Sequence, residues 1–215
     1  MRIVIFANGV LPHPESARQI IQPDDCLIAA DGGLRHCLAV GFHPAVLIGD
    51  FDSLNPDEVQ MSDHQGVEVL RHPRQKDETD LELALRHAVQ KNPEKILIFA
   101  ALGERWDQTL ANLLLPAFAE FHPFEIVLID GKQEITVLNA PSRTTLRLQG
   151  QPGDIVSLIP LKGEVQGITT HGLEYPLRNE TLIFGSTRGL SNVLQEPEAV
   201  IEIQNGSLWI SIYRQ

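Results

Sequence analysis

Residues 95–107 read KILIFAALGERWD. The run 95–100 (KILIFA) is apolar and rich in isoleucine with little polar alternation, the pattern of a strand covered on both faces of a parallel sheet. It runs into Gly103 and a charged loop, after which 107–120 takes up a helical period. The same succession of strand, loop and helix recurs in both directions. Strands are predicted at 2–7 (RIVIFA), 25–30 (DCLIAA), 45–48 (AVLI), 67–70 (VEVL) and 125–129 (EIVLI), with helices near 15–21, 33–40, 56–63 and 78–91. In the last of these, Leu81, Leu85, Ala88 and Val89 share one face and Glu82 can pair with Arg86 four residues on. Such alternation implies right-handed βαβ units, hence a Rossmann-like layered α/β domain with a mostly parallel sheet over 1–133.

Past about residue 132 the helical period stops. Runs at 134–139, 144–148, 154–160, 165–169, 181–184, 199–203 and 207–213 are short and rich in Val, Ile, Leu and Thr, and turns such as Gln151-Pro152-Gly153 separate them. Residues 134–215 therefore read as an antiparallel β-sandwich or barrel. Asn205-Gly206 lies between two alternating runs and predicts a hairpin.

Composition narrows the functional classes. The longest strongly apolar stretch, 96–102, falls far short of the ~20 residues of a membrane helix. The opening MRIVIFANG is too short for a signal-peptide core. Cys26 and Cys37 make neither a disulfide framework nor a zinc spacing, so a soluble, cytoplasmic protein is expected. A formal charge of −11 argues against nucleic acid or an anionic membrane as partner. The excess is uneven: residues 1–131 hold twenty acidic and ten basic side chains, and eleven of the twelve aspartates. Aspartates clustered in loops suit a hard cation such as Mg²⁺, which takes oxygen ligands.

Those clusters follow predicted strands, where open α/β sheets bind ligands. Strand one leads to Asn8-Gly9, strand two to Asp31-Gly32-Gly33, and strand three to Gly49-Asp50-Phe51-Asp52-Ser53. The fourth leads to Lys76-Asp77-Glu78-Thr79-Asp80 and the fifth to Gly103-Glu104-Arg105-Trp106-Asp107. In extended chain Asp50 and Asp52 would point to one side and Phe51 inward. Each cluster also has a purely local reading. Asn55, Pro56 and Glu58 can cap a helix, Asp77 and Asp80 can form a capping box on 78–91, and Asp31-Gly32-Gly33 can be a tight turn. Arg105 and Asp107 can be a surface ion pair, or Arg105 a fork for phosphate oxygens. No Walker-A, Gly-x-Gly-x-x-Gly, Gly-x-Ser-x-Gly or His-Glu-x-x-His pattern occurs, and His87 and His171 read as structural.

Taken together, ADGG (30–33), IGDFDS (48–53), KDETDLELAL (76–85), LGERWDQTLAN (102–112) and FGSTRGLSN (184–192) resemble the thiamine pyrophosphokinase family. The resemblance implies an ATP- and Mg²⁺-binding catalytic α/β domain, a thiamine-binding and dimerising β-sandwich, and a homodimer. It implies pyrophosphate transfer from ATP to the hydroxyethyl oxygen of thiamine, giving thiamine diphosphate and AMP. Carried onto this chain, the metal ligands are Asp50, Asp52, Asp77 and Asp80 with Asp31 nearby, and Arg105 joins these four carboxylates in catalysis. The ATP site draws on Asn8, Gly9, Asp31, Gly32, Gly33, Thr79, Arg105 and Asp107, and the thiamine pocket on Tyr175, Ser191 and Asn192. Trp209 is a further stacking candidate, although its alternating strand favours the core. Glu104 replaces a glycine of the family pattern, Gln108 a histidine, and Lys76 a glutamine. Two other readings remain: a pyrophosphokinase acting on a hydroxymethylpterin, and a non-catalytic thiamine- or nucleotide-binding module.

Overall fold

The computed structural model describes all residues, 1–215, and the chain forms two compact units. The first comprises Met1–Leu113 and Ile126–Gly131, the second Leu114–Glu125 and Lys132–Gln215. In chain order the first unit carries β1 (Arg2–Phe6), α1 (Pro14–Ile20), β2 (Cys26–Ala30), α2 (Gly33–Ala39), β3 (Val46–Gly49) and α3 (Pro56–His64). It continues with β4 (Glu68–Arg71), α4 (Asp80–Val89), β5 (Lys95–Phe99), α5 (Trp106–Leu114) and β6 (Ile126–Asp130).

Its strands run parallel in the order β6-β5-β1-β2-β3-β4, as the uninterrupted apolar runs require. β1 is buried on both faces: Ile3, Val4, Ile5 and Phe6 are all inaccessible. On one face Val4, Phe6, Leu97 and Phe99 pack with Ala17 of α1 and Cys37 of α2, and the Phe6 and Phe99 rings stack at 5.5 Å. Toward β1, β2 and β3, α4 buries Leu81, Ala84, Leu85 and Ala88. Ala84 thus stands where Val89 was expected, and the Glu82–Arg86 pair forms at 2.9 Å. The chain walks outward from β1 through β2, β3 and β4, then returns to β5 on its other side. This places the topological switch point, where such folds bind ligands, between β1 and β5.

Two helix boundaries differ from expectation. α4 starts at Asp80, because Thr79 is extended and its Oγ1 accepts the Glu82 N–H at 3.2 Å. Thr79 is therefore the N-cap, and Asp77 caps nothing. α5 stops at Leu114, and 3₁₀ turns at Leu115–Ala117 and Ala119–Phe121 replace its predicted last turns. Pro116 accounts for the break, since it has no N–H to donate and disfavours helical geometry in the residue before it. The capping box of α3 forms as read, with Asn55 N–H donating to Glu58 Oε2 at 2.8 Å.

The second unit holds β7 (Gln133–Asn139), β8 (Thr145–Gln149), β9 (Ile155–Pro160), β10 (Glu164–His171), β11 (Glu180–Ile183), β12 (Asn192–Val193), β13 (Glu198–Glu202) and β14 (Ser207–Tyr213). They form two antiparallel sheets, β12-β9-β14-β7 and β11-β10-β13-β8. Alternate residues such as Leu146, Leu148, Val156, Leu158, Ile201, Ile210 and Ile212 close a common core, as a sandwich demands. Asn205-Gly206 does not make the expected hairpin. β13 pairs with β8 and β10, whereas β14 pairs with β7 and β9, so this turn hands the chain from one sheet to the other. The local turn chemistry was right (Gly206 has φ +99°), but the partner of each strand is set by which face it must bury. Trp209 is half-buried, because Leu208 and Ile210 take the inward positions of β14.

No helix is long and apolar enough to cross a membrane. The two thiols differ sharply: Cys26 is half-buried, whereas Cys37 is inaccessible and burial pushes its thiol up to about 12. In the native protein at pH 8, Ellman's reagent is expected to label Cys26 and to reach Cys37 only after denaturant is added. Equal native rates for the two would contradict the packing of α2.

Candidate active site

Because all six strands of the first unit run parallel, their carboxyl ends meet at one edge, and a cavity of about 940 Å³ opens there. The loop after β1 lies against the loop after β5, with Gly9 N–H donating to the Ala100 carbonyl and Val10 N–H to that of Leu102, both at 2.7 Å. A Cβ on Gly9 would stand 2.3 Å from the Leu102 oxygen, so only glycine allows this approach. Asn8 Nδ2 reaches Asp31 Oδ2 at 3.2 Å and Ser53 Oγ at 3.1 Å, tying the ends of β1, β2 and β3 together.

Asp31 and Phe51 both adopt positive φ, +48° and +64°, strained values for residues other than glycine. The extended geometry expected for 50–52 is therefore replaced by a turn, in which Asp52 N–H donates to Asp50 Oδ1 at 3.1 Å. Phe51 still points inward and is buried. The turn brings ligand oxygens of Asp31, Asp50 and Asp52 within 4.8 Å of one another. Asp31 is almost wholly buried, yet its Oδ1 has no partner. An unpaired buried carboxylate oxygen costs several kcal/mol unless a cation or donor meets it. An all-oxygen donor set of this kind fits Mg²⁺.

Lys76 joins the acidic edge from the loop before α4. Its Nζ stands 2.9 Å from Asp80 Oδ1 and 3.4 Å from Asp50 Oδ2. Burial works to raise the Asp50 carboxyl, but the Asp52 amide and the Lys76 ammonium outweigh it and hold Asp50 below the usual carboxylate range. At Asp80 burial prevails: Lys76 opposes it, Asp50 and Asp31 add repulsion, and the carboxyl is raised. Arg74 faces Asp52 at 3.5 Å from an exposed position. Across the cavity Arg105 and Asp107 form a two-pronged exposed pair, with Arg105 Nε 3.2 Å from Asp107 Oδ1. Thr109 Oγ1 bonds both the N–H and the carbonyl of Gly103, and Asn112 Nδ2 holds the Ala101 carbonyl, so α5 shapes this rim.

Of the residues expected here, Asn8, Gly9, Asp31, Asp50, Asp52, Thr79, Asp80, Arg105 and Asp107 line the cavity. Asp77 is exposed and does not. Gly32 and Gly33 are buried beneath it, where they let α2 sit against Asn8 and the Phe6 carbonyl. In the second unit Asn192 clamps Tyr175, accepting from its N–H at 3.0 Å and donating to its carbonyl at 2.8 Å, while the Tyr175 ring lies exposed. Ser191 sits at φ +58° and its N–H donates to Ser157 Oγ. Asn192 thus spends its amide on the backbone of Tyr175, leaving the ring, not the amide, facing outward. Sequence reading gave no role to Ser53, Arg74, Thr109 or Asn112: Ser53 and Arg74 work through partners from other loops, and Thr109 and Asn112 fold α5 back onto the loop that precedes it.

Carboxylates converging from separate loops on an oxygen-rich cleft suit a polyphosphate carried in with a cation, and define the chain's class as an α/β phosphotransferase. Comparison with known proteins narrows that class. The family model described as thiamin pyrophosphokinase, catalytic domain, matches residues 17–128, and the one described as its vitamin B1 binding domain matches 143–208. The chain belongs to the thiamin pyrophosphokinase family. It is 30% identical to thiamine pyrophosphokinase of Bacillus subtilis over 84% of each chain. The crystal structure of thiamine pyrophosphokinase from Bacillus subtilis superposes with a TM-score of 0.86 at 27% identity, covering all of both chains. That of thiamin pyrophosphokinase from Geobacillus thermodenitrificans does so at 0.84 and 29% identity, covering this chain fully and 98% of the other.

Proposed function

We propose that this chain transfers pyrophosphate from ATP to the hydroxyethyl oxygen of thiamine, giving thiamine diphosphate and AMP. The observation that carries the reading is the trio Asp31, Asp50 and Asp52, gathered beyond the carboxyl ends of β2 and β3 in a family member, with one buried oxygen unpaired. The alcohol oxygen bonds to the β-phosphorus of ATP, the bond from that phosphorus to the bridging oxygen breaks, and AMP leaves with the electron pair. Asp50 or Asp52 accepts the alcohol proton. When bound, Mg²⁺ supplies the positive charge that lets a polyphosphate approach an acidic edge, and Asp31, Asp50 and Asp52 would hold it. At 4 Å two unit charges interact by about 4 kcal/mol at an effective dielectric of 20, so without a cation the acids would repel ATP strongly.

Arg105 releases Asp107 to fork the phosphate oxygens, while Asn8, Gly9 and Thr79 shape the nucleotide cleft. Rate enhancement comes from position and electrostatics more than from covalent chemistry. Tyr175, with Ser191 and Asn192 beside it, offers the second unit's surface to thiamine, its exposed ring suited to a cationic heterocycle. The active form is a cytoplasmic homodimer.

Incubation with ATP, Mg²⁺ and thiamine tests the reading: AMP and thiamine diphosphate are expected in equal amounts. AMP released with a hydroxymethylpterin but not with thiamine would change the acceptor, and AMP with neither would leave only a binding module.

A further inference from the structure

Lys76 holds a place that the transfer reaction does not by itself explain. Its side chain is only 11% exposed, and its ammonium bridges Asp80 and Asp50, which come from different loops. An ammonium gives up hydration at that depth only where anions replace the lost water. A lysine serving solubility would extend outward, as Arg74 does with 81% of its side chain exposed.

Charge counting makes the placement specific. Asp31, Asp50, Asp52 and Asp80 bring four negative charges, and Lys76 and Arg74 bring two positive ones, leaving the charge of one divalent ion to be matched. Arg74 contacts Asp52 and acts on Asp50 only from a distance, so Lys76 is the cation in contact with both Asp50 and Asp80. Two buried carboxylate oxygens here have no hydrogen-bond partner: Asp80 Oδ1, which faces the Lys76 ammonium at 2.9 Å, and Asp31 Oδ1, whose carboxylate is grouped with those of Asp50 and Asp52.

We propose that Lys76 is a positioning residue, a built-in counter-cation that occupies the space between Asp50 and Asp80 and so restricts the nucleotide-free centre to one divalent ion, at Asp31, Asp50 and Asp52. This rests on reading that trio as a cation site. Removal of the ammonium leaves two facing carboxylates with no cation, and a second divalent ion fills the gap.

Equilibrium dialysis of the full chain against Mn²⁺ without nucleotide, with the bound ion counted by electron paramagnetic resonance, tests it. The wild type is expected to bind one ion per chain, Lys76→Gln two, and Lys76→Arg one. Addition of Mn²⁺ is also expected to raise the melting midpoint of Lys76→Gln more than that of the wild type. Folding of each variant is checked by circular dichroism. A wild type that binds two ions overturns the inference without recourse to any variant, as does a folded Lys76→Gln that binds one ion with wild-type affinity. Mn²⁺ retained by neither protein overturns the trio as a cation site and this inference with it, an outcome distinct from the other two.

Discussion

Asp52→Asn is expected to lower AMP formation from ATP and thiamine by about a hundredfold or more, with the melting midpoint moved by about 3 °C or less. Of the three gathered carboxylates, Asp52 contributes least to the fold. Its side chain is 48% exposed, and its ion pair with Arg74, at 3.5 Å, is long and open to solvent. Asp50, in contrast, anchors Lys76, and Asp31 is buried against Asn8. The substitution keeps size and shape and removes one of three negative charges, so binding of the ion and neutralisation of the polyphosphate suffer while packing does not. An AMP assay and a thermal melt on the same preparation separate the two. A rate within about threefold of the wild type would remove Asp52 from the set.

Gly33→Ala is expected to show the converse, a large loss of stability that takes activity with it. A Cβ at Gly33 would stand 2.0 Å from the Phe6 carbonyl oxygen and 2.7 Å from its carbon. Both atoms are backbone of β1, the buried strand between β2 and β5, so neither can rotate away as a side chain would. Separation of α2 from β1 should cost about 3 kcal/mol, a fall of roughly 6–12 °C in melting midpoint for a chain of this size. Because Phe6 leads into Asn8 and Gly9, the KM for ATP should rise as well. Gly41→Ala provides the control. Its φ is +87° but nothing lies within 4 Å of the added carbon, so only about 1–2 kcal/mol of backbone strain is expected. Equal melting points for the two variants would contradict the packing argument.

Much of this was legible in the chain itself. The parallel unit announced itself through runs such as 2–7 and 95–100, where apolar residues fill both faces and no polar alternation intervenes. The acidic edge followed from asking what comes after each strand. The geometry within that edge was not legible, because it depends on contacts between loops. Nothing near position 31 in the chain says that its carboxylate will end up beside 50 and 52 with an oxygen to spare. Asp77 and Asp80 looked alike until Thr79 took the cap, which left one in the cavity and the other in solvent. Lys76 gained its meaning only when Asp50 and Asp80 closed around it. In the second unit the turn chemistry of Asn205-Gly206 was visible, but a local signal could not say that the next strand joins the opposite sheet.

That change of sheet bears on how the protein is made. β7 and β9 are joined only through β14, which lies between them and is made after every other strand described in the sandwich. A nascent chain that has reached residue 206 already carries every strand of the parallel unit, which can fold while translation continues. The sandwich must wait. Until the ribosome delivers 207–213, β7 and β9 present open backbone edges, the state in which chaperones bind and chains associate wrongly.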